Sequence, residues 1–221
     1  MPVRMKTKEP RRTPPDREGR LMHHAGKLLS IAAVGAVVLA GACSDQKAAT
    51  PTSPAPSSAR LPANGAPAVT NPILNTSQAE SDPCSTVTTA QIEEIGGKVE
   101  RSEQEQMTVG KACAWIFAKG ANTVSAGLVA GNKDGLNSLY AQNATSGLTT
   151  FKPVEQVVGY PAVVYANGGE GPGTCTLAVG VRDDLVYTII PRLGSDHPSY
   201  SDPCGLATKV AIAAIENLKK S

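Results

Sequence analysis

Residues 113–130, CAWIFAKGANTVSAGLVA, decide how this chain folds. Cys113, Trp115 and Phe117 alternate to one side of an extended segment, the period of a strand with one buried face. Lys119-Gly120-Ala121-Asn122 has the composition of a turn, and Thr123 to Ala130 returns as a second strand. The stretch therefore reads as an antiparallel hairpin, and the remaining elements are placed around it.

Toward the N-terminus, Lys98 to Met107 alternates only weakly, as an edge strand does. A helix is expected to open at Asp82-Pro83-Cys84: Asp82 can cap free amides, and Pro83 suits the first helical position, where no N–H is needed. Ile92 and Ile95 then share a face, and Gly96-Gly97 stops the helix. Toward the C-terminus, Asp134 to Ala144 is a short helix with Leu136, Leu139 and Tyr140 on one side. Val154 to Val158 and Ala162 to Tyr165 are strands separated by Gly159-Tyr160-Pro161, and the glycine-rich Asn167 to Gly173 is irregular. Thr174 to Val181 and Leu185 to Ile190 form a hairpin about Arg182-Asp183-Asp184. A last helix opens at Asp202-Pro203-Cys204, runs to about Lys220, and repeats Leu206, Val210, Ala214 and Leu218 on one face. This order predicts a single α+β domain over residues 80–221, an antiparallel sheet covered by helices.

The chain upstream specifies an address. Leu28 to Leu39 is an uncharged apolar run preceded by Lys27 and further basic residues, and Ala40-Gly41-Ala42 supplies small residues before Cys43. This is the build of a signal peptide over residues 1–42, too short to span a bilayer. Residues 1–21 are Pro- and Arg-rich, unlike an n-region, and a start at Met22 gives a conventional one. A cysteine directly after the small residues matches a bacterial lipobox except at Ala40, where leucine is usual. Cys43 is thus the expected site of diacylation and the new N-terminus. Residues 43–79, dense in Pro, Ala, Ser and Thr, read as a disordered tether. The sequons at Asn75 and Asn143 are taken as chance matches.

Charge and cysteine count narrow the class. Of 21 basic and 19 acidic residues, 13 and 16 lie beyond residue 42, so the mature chain is mildly acidic. It has no basic stripe of the kind nucleic acid requires. With Cys43 assigned to lipid, Cys84, Cys113, Cys175 and Cys204 remain, an even set that reads as two disulfides in an exported chain. Cys84 to Cys113 and Cys175 to Cys204 are each 29 positions apart, and this mirrored spacing favours those two pairs among the three possible connectivities.

Several motifs taken together resemble a known family. The lipobox, the tether, Asp82-Pro83-Cys84, Cys113-Ala114-Trp115, Gly135-Leu136 with Leu139-Tyr140, Gly159-Tyr160-Pro161-Ala162-Val163, Cys175-Thr176-Leu177 and Asp202-Pro203-Cys204 occur in that order. They are similar to the actinobacterial exported lipoproteins grouped as domain of unknown function 3558. The resemblance covers the mature chain and implies a surface lipoprotein of high-GC Gram-positive bacteria. It implies no activity.

Catalytic motifs are absent from the sequence: there is no G-x-S-x-G elbow, H-E-x-x-H, Walker loop or G-x-G-x-x-G between strand and helix. A Ser-His-Asp site would have to use His197 with Asp196 or Asp202, and a lone histidine in GSDHPSY is expected to be solvated. Zinc is disfavoured because no cysteine pair has ligand spacing, and Asp183-Asp184 reads as a turn rather than a calcium site. Trp115 and Tyr160 are expected to fill the core and anchor a turn. No cofactor or metal is expected. The loops carrying Asn167, Glu170, His197 and Tyr200 are the candidate binding positions.

The resulting expectation is a non-enzymatic binding module of the cell surface, held by lipid on Cys43 to the outer face of the cell membrane. Its partner would be an envelope ligand or protein and not nucleic acid. The rivals are a cell-wall enzyme whose site assembles only in the fold, with His197 in a cleft, and a lipid or glycolipid carrier with an apolar cavity between helices and sheet.

Overall fold

The computed structural model describes residues 60–169 and 171–221. The expected signal peptide, Cys43, the expected tether as far as residue 59, and Glu170 lie outside the described residues.

Seven antiparallel strands form one sheet: β1 (Val99–Met107), β2 (Gly110–Phe117), β3 (Thr123–Leu128), β4 (Thr150–Val157), β5 (Tyr160–Ala166), β6 (Leu177–Arg182) and β7 (Leu185–Arg192). Their spatial order is β1-β2-β3-β7-β6-β5-β4. The helices are α1 (Ser77–Ser81), α2 (Thr89–Gly96), α3 (Asn137–Ala144) and α4 (Pro203–Leu218). The fold is therefore α+β, with an antiparallel sheet covered by helices. After β3 the chain crosses to the far edge through α3 and returns as the meander β4 to β7, which docks β7 against β3.

Strand alternation assigns the two faces. Cys113, Trp115, Phe117, Leu177, Leu185, Tyr187 and Ile189 pack with Leu206, Val210, Ala214 and Leu218 of α4 in the main core. Trp115 is only 1 % exposed and fills this core, as expected. The opposite face carries a smaller cluster in which Val163, Ala178 and Val186 meet Leu136 and Leu139 around α3. The charged, exposed β1 lies at one edge, a composition that discourages pairing with another sheet.

Both disulfides take the mirrored pairing, Cys84–Cys113 and Cys175–Cys204. The first ties a 3-10 turn, Pro83–Ser85, to β2; the second ties the segment before β6 to the start of α4.

Two expectations about element boundaries differ from the structure. The two Asp-Pro-Cys motifs differ: Asp202 caps α4 by accepting from the Gly205 amide at 2.9 Å, whereas Asp82 makes no cap bond and the helix carrying Ile92 starts afresh at Thr88. There Thr88 and Gln91 form a reciprocal capping box, a stronger start signal than Asp-Pro. The β4–β5 turn is Val158-Gly159, both at positive φ, and Tyr160-Pro161 already belongs to β5. The ladder slips between Val154 and Val157 beside Pro161, which has no N–H to donate.

Residues 60–79, read from composition as the end of the tether, lie against the domain. The Ala63 amide donates to Asn137 Oδ1, the Val69 amide to Asp183 Oδ1 at 2.8 Å, and the Ile73 amide to the Val181 carbonyl at 3.0 Å. Ala66 joins the smaller cluster and Ile73 and Ala79 the larger. The segment is a strap whose few apolar side chains suffice because the sheet supplies the surface they cover.

Candidate functional site

The sheet face opposite α4 is only partly covered by α3 and the strap. On β7 the even positions Val186, Thr188, Ile190 and Arg192 belong to this face, alternating with the core residues Leu185, Tyr187 and Ile189. Two clefts adjoin it, the first also reaching Cys204 at the start of α4. One, about 420 Å³, lies where β6 gives out and only Thr174 to Thr176 fills the gap between β5 and β7; the Tyr165 amide donates to the Thr176 carbonyl, and Thr174 bridges Arg192. Its walls include Gly168, Gly169 and the Cys175–Cys204 bridge. The other, about 480 Å³, lies under α3 between Val129, Val186 and Thr188 and reaches Gln142. Tyr165 lines both.

The electrostatics of this face are simple. Among the described residues Arg192 is the one charged side chain lining either cleft, and it has no ion-pair partner. Thr188 is 4 % exposed, and its Oγ1 has no hydrogen-bond partner. The Tyr165 phenol faces that hydroxyl short of full hydrogen-bond geometry; burial raises the phenol above the usual tyrosine range, and the Thr188 hydroxyl opposes part of that rise.

The two loops expected to carry binding residues are brought together. The Gly173 amide donates to the Tyr200 carbonyl, and Leu193 donates to the Gly173 carbonyl, both at 2.8 Å. Their roles separate, however. Asn167 is exposed beside Gly168 and Gly169, which form a wall of the first cleft. Tyr200 is half-buried, packed on the core with its ring against Gly173. Glu170 lies outside the described residues.

His197 is not solvated: it is 7 % exposed, with its ring 5.1 Å from that of Phe117. Nδ1 accepts from the Ser199 amide at 3.0 Å, which leaves Nε2–H to donate to the Gly96 carbonyl at 2.9 Å. With both nitrogens committed, His197 has no lone pair free to take a proton from a nucleophile. It lines a separate cleft of about 350 Å³ beside Lys98 and Lys119, where Asn122 also binds Lys119 and Gly194. No group of three or more metal-ligating side chains occurs among the described residues.

The family model described as "Protein of unknown function (DUF3558)" matches residues 38–217. The chain belongs to the DUF3558 family. The match takes in Cys43, the strap, all seven strands and nearly all of α4. No curated protein and no solved structure is significantly similar to it.

Sequence reasoning missed the residues that shape the open face: Tyr165, Thr176, Thr188 and Arg192. A signal existed in Leu185 to Arg192, LVYTIIPR, where Thr188 and Arg192 fall on one side of an otherwise apolar strand. Nothing in the sequence alone said which face the helices would leave bare.

Proposed function

We propose that this DUF3558 protein is a lipid-anchored binding module of the outer face of the cell membrane, presenting the open face of its sheet to an envelope ligand. The observation that carries the reading is the pair of clefts joined at Tyr165, to whose lining α4 contributes only Cys204. The apolar run ending at Cys43 supports the anchor, and the family match extends over it. Acyl chains on one cysteine suffice for stable retention when two or more are present.

The rival readings have less support. A catalytic use of His197 is disfavoured by the commitment of both its nitrogens. A lipid carrier needs an apolar cavity beneath the helices, and that space is filled by Trp115, Phe117 and Leu177.

Anchoring is tested by replacing Cys43. Cys43→Ala should release the protein to the medium or leave an unprocessed precursor, while mass spectrometry of the native chain should find Cys43 acylated at its N-terminus. Retention of the variant at a processed mass would refute the lipid anchor.

A further inference from the structure

We propose that the two clefts form one extended site for an acidic oligosaccharide, with the Thr188 hydroxyl and the Arg192 guanidinium as anchors; this rests on the binding-module reading. The two clefts share Tyr165, so a chain-like ligand can run through both.

The lining selects the chemistry. Thr188 is buried in the wall of the second cleft, its Oγ1 facing the Tyr165 phenol without a hydrogen bond of full geometry, so a ligand hydroxyl that shifts the Tyr165 ring would complete its bonding. Thr176 lines the first cleft and Gln142 the second, and neither side chain has a hydrogen-bond partner among the described residues. Tyr165 adds an aromatic ring between them. Neutral donors and acceptors around a ring suit sugar hydroxyls. Arg192, the one charged side chain among the described residues that line the clefts, suits one anionic group, which it can bind through two parallel N–H bonds. A nucleic acid would need many cations, and an acyl chain would need an apolar tunnel. The anionic group is a uronate carboxylate or a phosphodiester, which share this chemistry.

The test uses the full mature chain in detergent, titrated calorimetrically with a galacturonate hexamer, a phosphodiester-linked ribitol hexamer and neutral cellohexaose. One acidic hexamer should bind, and cellohexaose should bind at least about tenfold more weakly, as expected for loss of a charge-assisted bond. Thr188→Val should weaken every probe by about fivefold or more while raising the melting temperature, because it removes a buried hydroxyl that lacks a full hydrogen bond. Arg192→Gln should weaken the acidic probe alone. Which acidic hexamer binds identifies the anionic group. Failure of both acidic hexamers, equal binding of cellohexaose, or unchanged affinity in Thr188→Val overturns the site. Membrane retention through Cys43 is read separately, so such a failure leaves the anchored-module reading standing.

Discussion

Tyr187 shows how one side chain couples folding to pH. It lies fully buried in the main core, its hydroxyl 2.8 Å from Thr86 Oγ1, which itself donates to the Pro83 carbonyl. Burial pushes the phenol far above the usual tyrosine range, and the Thr86 bond only partly opposes this. In the unfolded chain the phenol ionises near about pH 10, while in the folded chain it keeps its proton. The stability it contributes is therefore complete below about pH 10 and falls as pH rises beyond that. Urea unfolding of Tyr187→Phe should show a loss of about 1 kcal/mol at neutral pH, from the missing hydrogen bond. Above about pH 10 its stability should fall less steeply than that of the native chain. Some slope should persist, because burial also raises the phenols of Tyr140 and Tyr165. A variant with the native alkaline slope would show that Tyr187 is not the group responsible. His197 makes the complementary point, since a histidine read as solvated proves to be a cross-link between Gly96 and Ser199.

At the scale of elements, capping chemistry decided where helices begin. The Thr88–Gln91 box satisfies two amide donors that α2 would otherwise leave open. Thr88→Ala should cost about 1 kcal/mol in thermal or urea unfolding, and no measurable change would mean the box is dispensable. The periodicity of Leu206, Val210, Ala214 and Leu218 was legible as one helix face, and all four are buried. So was the alternation of Cys113, Trp115 and Phe117. The Asp82 motif misled because the same Asp-Pro-Cys opens α4 at Asp202 but only a 3-10 turn at Asp82. There the disulfide to β2 and the nearby Thr88 cap compete with helix continuation.

For the whole molecule, the two disulfides and the strap close what a core with few aromatics leaves open. Each bridge closes a separation of 29 residues and so contributes about 3.6 kcal/mol on chain-entropy grounds. The strap adds burial at Ile73 and backbone bonds to Asp183 and Val181. Ile73→Ala in the full chain should lower the unfolding free energy by about 2–4 kcal/mol, the cost of emptying a packed site. A change near zero would mean that residues 60–76 behave as tether after all.

Local pattern determined most of this protein. Alternation and helical period depend only on neighbouring residues, so they placed the strands and the last helix; the mirrored cysteine spacing pointed to the pairing that occurs. What required the tertiary structure was every fact about faces. A Pro- and Ala-rich segment looks soluble until a sheet offers apolar surface to receive Ala66 and Ile73. The open surface on which Tyr165 joins the Arg192 cleft to the Thr188 cleft unites β5 and β7. Its existence depends on α3 covering one part of a sheet face and leaving the rest bare, a balance of long-range packing that no local stretch of sequence encodes.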